Sequence, residues 1–334
     1  MSLTQQPTRT PLLTLIAMLA FAANSLLCRM ALGEQQIDAA SFTAVRVLSG
    51  ALTLTLFMLP HWRRGGRRSE LKMSLASLLP PSAQGGCARR HATSARPLWC
   101  RSLRSTHPTG VGGSPVAPWR TALMLFAYMI FFSFAYLSLS AGTGALLLFG
   151  AVQLTMILAA WRAGERFTPG SWLGLLLAVA GLVYLVSPGI TAPDPIGAVF
   201  MLIAGLAWGL YSLLGRHARN PLEATAHNFL LAAPLAIATS VIFIGDFHIS
   251  ARGLGLAVAS GAVASGLGYV VWYAALRGLT STRAATVQLS VPVIAAIGGV
   301  LLLSEPVTLR LVLASAATLG GIALVLLQRT APRR

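Results

Sequence analysis

Long apolar stretches, each about the length of a membrane-crossing helix, recur along the whole chain. They fall at residues 11–30, 39–60, 120–140, 143–162, 171–187, 196–215, 224–245, 253–276, 283–303 and 308–328. A helix needs roughly 20 mostly apolar residues to cross the hydrocarbon core of a bilayer. The stretches are rich in Gly and Ala and lack a period-two alternation, which favours helices over the strands of a barrel. The pattern predicts an all-α integral membrane protein of ten transmembrane helices.

Composition supports the same class. Hydrophobic residues make up 55% of the 334 and charged residues 10%, against about 25% charged in soluble domains. Eight acids are too few to clothe a water-soluble globule of this size. The formal charge of +17 raises nucleic acid as a partner, but its placement argues otherwise. With the N-terminus inside, the cytoplasmic loops hold Arg63, Arg64, Arg67, Arg68, Lys72, Arg162, Arg166, Arg216, Arg219, Arg277 and Arg283. The tail adds Arg329, Arg333 and Arg334, whereas the opposite loops hold little beyond Arg29, Arg252 and Arg310. This is the positive-inside bias of a bacterial inner-membrane protein with both termini in the cytoplasm. The expected partners are a small-molecule substrate and the bilayer, with no nucleic acid; a homodimer is left open.

Arg9, the apolar run 12–20 and Ala20-Phe21-Ala22 together have the form of a signal peptide. An internal repeat argues against it, because this segment has a counterpart deep in the chain. Ser25-Leu26-Leu27-Cys28-Arg29 matches Ser212-Leu213-Leu214-Gly215-Arg216 at an offset of 187, with Phe42 falling on Phe229. Glu165-Arg166-Phe167-Thr168 matches Glu305-Pro306-Val307-Thr308 at an offset of 140, and Ala180-Gly181 matches Gly320-Gly321. The chain therefore divides into residues 1–190 and 191–334, five spans each. Five is odd, so the second half enters the membrane upside down. Two inverted five-helix repeats are a common architecture of secondary transporters, with the substrate held near the midplane between them.

The offsets differ by 187 − 140 = 47 residues, which places extra chain between the second and third spans. Residues 80–118 contain six prolines, five arginines and no acids, and Pro80-Pro81, Gly85-Gly86 and Gly112-Gly113 break any helix. A disordered cytoplasmic insertion at about 72–118 is predicted, either genuine or the product of out-of-frame translation. Cys87, His91, Cys100 and His107 lie in it, but their spacing fits no common zinc site. No metal site and no disulfide are expected.

The residues of both halves resemble the EamA-type branch of the drug/metabolite transporter superfamily. The first span of each half in that family reads Trp-Gly with a basic residue eight positions after the Trp. Trp208-Gly209 with Arg216 fits; Phe21-Ala22 with Arg29 keeps the spacing and replaces Trp-Gly. Gly164-Glu165 and Ser304-Glu305 resemble the family's fourth-to-fifth span junction, and Arg46 resembles a feature of its second span. The resemblance covers about 290 residues and leaves out 72–118. It implies a ten-helix transporter, often an exporter of amino acids, related metabolites or toxic compounds, with no cofactor.

Polar residues inside spans are the candidates for chemistry, since each is costly in lipid. Arg46 is either a fixed positive charge for a substrate carboxylate or a structural arginine bonded to helix-end carbonyls. Trp208, Tyr211, Ser212 and Gly215 share one helical face, as do Ser265, Tyr269, Trp272 and Tyr273. Such faces suit a cavity for an organic solute or, near span ends, anchors at the interface. Asn24, Gln153 and Gln288 are intramembrane amides that bond a substrate or tie helices together. Pro292 should kink the ninth span and expose carbonyls or provide a gating bend. Gly205-x3-Gly209 and Gly170-x3-Gly174 suit close helix packing, and His227 and Asn228 sit where an interface is expected. Glu165 and Glu305 are placed to cap the helices that follow them.

No Asp or Glu lies inside a predicted span, so ion coupling is left undetermined. An enzyme is disfavoured: Val263-Ala264-Ser265-Gly266 lacks the first Gly of a membrane serine protease, and no nucleotide-binding loop or intramembrane carboxylate pair is present. A non-transporting scaffold has no need of inverted symmetry. An exporter is the expectation, with an importer or bidirectional facilitator the alternative within transporters.

Overall fold

The structure, a computed structural model, describes residues 9–77, 118–215, 218, 220–279 and 281–328. In a bilayer a backbone amide finds no water, so an apolar segment must satisfy its own hydrogen bonds, and the helix does so within one segment. Among the described residues the helices are α1 Arg9–Gly33, α2 Ala39–Ser77, α3 Pro118–Ala135, α4 Ala141–Arg162 and α5 Pro169–Val186. There follow α6 Pro195–Gly215, α7 Pro221–Ile242, α8 Ala251–Leu276, α9 as Ser281–Gln288 and Ser290–Leu303, and α10 Leu309–Gln328. Nine are long and apolar enough to cross a membrane, and α3 is a shorter apolar helix.

The chain forms two units, Met1–Thr55 with Ala117–Arg334, and Leu56–Val116. The described part of the second is the continuation of α2, which runs past Pro60 to Ser77. The sequence pattern ends the span at residue 60. The helix continues because Glu70, Leu71, Lys72, Met73 and Ala76 are strong helix formers, whatever their polarity. The predicted disordered insertion at about 72–118 is corrected at its start, where residues 72–77 continue α2, and at its end, where Pro118 opens α3; the rest of it lies outside the described residues, as do Cys87, His91, Cys100 and His107.

Two helices depart from regular geometry. α9 is interrupted at Leu289, one turn before Pro292. Proline has no N–H for the Gln288 carbonyl four residues back, and its ring crowds that carbonyl. α8 contains a π-helical stretch, Ala259–Leu267, of mostly small residues. There Gly261 lies so close to α2 that an added methyl carbon would sit 2.9 Å from the Arg46 carbonyl carbon.

In the larger unit odd-numbered helices end, and even-numbered ones begin, at the end that holds Arg29. The α1–α2 and α7–α8 connections are stitched there: Asp38 N–H donates to the His248 carbonyl (3.1 Å) and Ser250 N–H to the Gln36 carbonyl (2.8 Å). Helix starts are capped by side chains, as orphan amides require. Asp38 accepts from Ser41 N–H, Thr168 from Ser171 N–H, Ser250 from Gly253 N–H and Thr308 from Leu311 N–H. The expectation that Glu165 and Glu305 cap the helices after them is therefore corrected: Thr168 holds α5 and Thr308 holds α10. Glu305 instead accepts the Ala141 N–H at the start of α4 (2.8 Å) and pairs with Arg29 (3.1 Å).

The three arginines of this end are all tethered. Arg29 also donates to the Tyr136 and Leu137 carbonyls at 3.1 and 3.2 Å. Arg252 pairs with Glu34 at 2.6 Å. Arg310 donates to the Leu185 and Ser187 carbonyls and lies over the Tyr184 ring.

Helix pairings come in matched sets. α3 and α4 both pack on α6, α8 and α9 both pack on α1, α4 meets α9, and α5 meets α10. The α5–α10 face is self-matching in detail. Gly174 lies against Gly321, Gly181 against Ala314, and Thr318 Oγ1 donates to the Ala178 carbonyl (3.4 Å) at a separation of 140 residues. The glycines at 205 and 209 abut α4 at Leu148 and Thr155, and the one at 170 meets Gln328 of α10. Small residues set these distances, as expected for helices in lipid.

Candidate functional site

Most hydroxyls within the helices need no ligand to satisfy them. Thr43, Thr155 and Ser212 donate to carbonyls four residues back at 2.7–2.8 Å. The polar residues that converge elsewhere are the informative ones. Between α1, α3, α4, α6, α7, α8 and α9 lies a cavity of about 450 Å³. Asn24 on its wall is nine residues before Gly33, or about 14 Å from the end of α1. The cavity reaches the opposite end of the bundle, where Gly215, Pro221, Leu276 and Ala284 line it. At the Arg29 end Leu26 packs on Gly298 and Ala296 on Gly142, beneath the Arg29–Glu305 pair.

Aromatic rings form the wall. Trp208 stacks on Tyr269 with centroids 5.7 Å apart and planes at 17°, and also meets Tyr128 at 4.8 Å and Tyr211 at 5.2 Å. Phe21, the counterpart of Trp208 in the repeat register, packs on Tyr269 (6.0 Å) and Trp272 (5.8 Å). No charged side chain lines the cavity among the described residues. Trp208→Ala should leave an assembled protein less stable by about 1.5–4.5 kcal/mol, since each of the three aromatic pairs contributes about 0.5–1.5 kcal/mol. Thermal melting in detergent measures this, and retention of wild-type stability would show that the three ring contacts contribute little.

Asn24, Gln153, Trp208, Tyr211, Tyr269, Trp272 and Gln288 all line the cavity. Both aromatic faces read from the sequence, including Ser212, Gly215, Ser265 and Tyr273, point there. Arg46 does not line it: the side chain is fully buried behind the wall, donating to Tyr128 Oη (3.0 Å) and Ser265 Oγ (3.4 Å). Its guanidinium lies 4.9 Å from the Phe132 ring centre. Pro292 is buried beside the α9 break rather than on the wall. Asn228 is buried, near Tyr211 Oη at 3.5 Å and accepting from Thr121 at 2.8 Å, whereas its neighbour His227 is exposed.

Sequence reasoning missed Tyr128 and Thr225. Thr225 Oγ1 is within 3.2 Å of Tyr211 Oη and 3.0 Å of Tyr273 Oη, which joins α7 to both aromatic faces. Tyr128 shares a face of α3 with Phe132 four residues on, and both line the cavity. Its position in an apolar span was the available signal.

Comparison with known proteins agrees with this architecture. The sequence model of the EamA-like transporter family matches residues 195–327. An uncharacterised protein of Pseudomonas aeruginosa is 49% identical over 321 residues, 96% of each chain. An uncharacterised transporter of Archaeoglobus fulgidus is 27% identical over 60% of this chain and 74% of its own. The threonine/homoserine exporter RhtA of Salmonella typhimurium is 30% identical over 51% of this chain and 59% of its own. A solved crystal structure, 19% identical, superposes with a TM-score of 0.59 over 98% of this chain and all of its own, which supports the fold. The bundle of apolar helices, the family match over residues 195–327 and the relatives named as transporters agree: this chain is a multi-pass membrane transporter of the EamA-like transporter family.

Proposed function

We propose that the protein is a secondary transporter that exports small organic metabolites, amino acids or related compounds, across the bacterial cytoplasmic membrane by alternating access. The observation that carries the reading is the cavity midway along the bundle, closed beneath Arg29 and Glu305 and extending to the opposite end. With both termini cytoplasmic, that opposite end faces the cytoplasm, and the conformation is the one that loads an exporter. Two inverted repeats divided at 190/191 supply the second conformation, because exchanging their roles closes the loaded end and opens the other. The matched pairings support this: a contact between 174 and 321 becomes one between 314 and 181 on exchange through the 140-residue offset, and both are present. The exporter of threonine and homoserine among the relatives supports the substrate range.

Metabolite profiles of cells and medium test it, with a strain overexpressing the full chain compared with one lacking it. A compound class enriched several-fold outside and depleted inside is the expected result. Accumulation inside instead would replace export with import, and an unchanged profile with the protein in the membrane would remove the exporter reading.

A further inference from the structure

The positive charge of Arg46 has no carboxylate within ion-pair distance, whereas Arg29, Arg252 and Arg310 each have a carboxylate or carbonyl partner. Four of the described acids are committed elsewhere: Glu305 to Arg29, Glu34 to Arg252, Asp38 to Ser41 and His248, Asp194 to Ser138 and Gly197. One guanidinium nitrogen, Nη1, has no hydrogen-bond partner. Nη2 donates to Tyr128 Oη at 3.0 Å, and the Tyr128 ring forms part of the cavity wall. A buried cation thus stands directly behind a phenol that faces the substrate space.

That phenol has one bonding capacity left. Tyr128 Oη accepts from Arg46 and also from the Asn24 amide N–H at 3.4 Å. The Asn24 carbonyl is occupied by the Ser260 hydroxyl at 2.6 Å, which sets the amide so that its nitrogen is turned to Tyr128. With two donors on the oxygen, its proton must be given to an acceptor, and none is found among the described residues. A phenol that accepts from a guanidinium is polarised and becomes a stronger donor. Beside it lie the ring of Trp208, at 4.8 Å, and the uncharged amide of Asn24, and Gln153 lines the same cavity.

We propose that Tyr128 seats the carboxylate of the transported molecule, with Arg46 as the charge behind the seat, and that the aromatic wall takes the molecule's apolar body. This deepens the transporter reading and rests on it. The site recognises a compact anionic group, free or within a zwitterion, and disfavours a ligand whose only charge is positive. The cation repels such a ligand across a low-dielectric wall, and no acidic side chain lines the cavity to offset it.

The test uses the full chain purified in detergent and titrated by tryptophan fluorescence, with Trp208 in the wall as reporter. Three probes share one branched apolar body: L-leucine, 4-methylpentanoate and isoamylamine. The wild type is expected to bind the first two and to bind isoamylamine at least tenfold more weakly. Tyr128→Phe is expected to weaken both carboxylates about tenfold, the usual scale for losing a charge-assisted hydrogen bond, and to leave the amine unchanged. A merely structural Tyr128 would weaken all three alike. If Tyr128→Phe does not fold, Ser260→Ala, which releases Asn24, should weaken only the carboxylates by a smaller factor.

Equal or tighter binding of the amine by the wild type overturns the seat. So does a Tyr128→Phe protein that keeps carboxylate affinity, and so does a wild type that binds none of the probes. None of these results touches the metabolite profile, so the seat and the transporter reading fail separately.

Discussion

Gly321→Leu should abolish the assembled protein, whereas Gly320→Leu beside it should be tolerated. A methyl carbon added at Gly321 would lie 2.6 Å from the Ala178 amide nitrogen and 3.1 Å from its Cα. These are backbone atoms of α5, so no rotamer change relieves the clash and the two helices must separate. Separation breaks the matched contact at Gly174 and the Thr318–Ala178 hydrogen bond as well. Overpacking costs about 1–3 kcal/mol where side chains can yield, and more is expected where only backbone is met. At Gly320 nothing lies within 4 Å of an added carbon. Leu there gains about 1 kcal/mol of helix propensity over Gly. Size-exclusion profiles of the two variants in detergent decide the point. A monodisperse Gly321→Leu protein of wild-type melting temperature would mean that α5 and α10 do not pack as described.

The second large effect is expected at the Arg29 end. Glu305→Ala removes an ion pair and the acceptor of the Ala141 N–H together, and leaves Arg29 with two carbonyls. Hydrogen bonds to charged groups contribute about 1.5–3 kcal/mol when buried. The side chains here are 24% and 13% exposed, so solvent screening reduces this to about 1–2 kcal/mol. A loss of that size shifts an open–closed equilibrium by about tenfold towards the state in which this end is open. Cys28 is the native reporter: it precedes Arg29 and is fully buried. With Cys87 and Cys100 replaced by Ser, labelling of Cys28 by a small maleimide should be slow, and about tenfold faster in Glu305→Ala. Arg29→Lys should fall between, because an ammonium lacks the planar fork that serves a carboxylate and two carbonyls at once. Unchanged labelling in Glu305→Ala would deny the pair any role in holding this end shut.

Much of the candidate site was legible because helical periodicity is a local property. Trp208, Tyr211, Ser212 and Gly215 repeat with the helical period, so a common face follows from the chain alone, and so it does for Ser265, Tyr269, Trp272 and Tyr273. The amides Asn24, Gln153 and Gln288 were visible because a polar group in an apolar span needs a partner. Tyr128, Thr225 and the position of Arg46 behind the wall were not. Each depends on which neighbouring helix is turned towards it, and sequence spacing carries no information about rotation between helices.

The same division holds for the fold. The apolar stretches determined the class and the helices, because a segment of that length and composition satisfies its amides only by coiling on itself. The motif at Pro292 determined the break in α9, since the missing N–H is a property of one residue. Only the tertiary structure decided the rest. It chose Gly321 and not Gly320 for the α5 contact, and it sent Glu305 to Arg29 and α4 rather than to the helix that follows. It also left Arg46 facing a phenol instead of an acid. Those outcomes are set by contacts between segments far apart in the chain, where one ångström of approach or a fraction of a turn selects the partner.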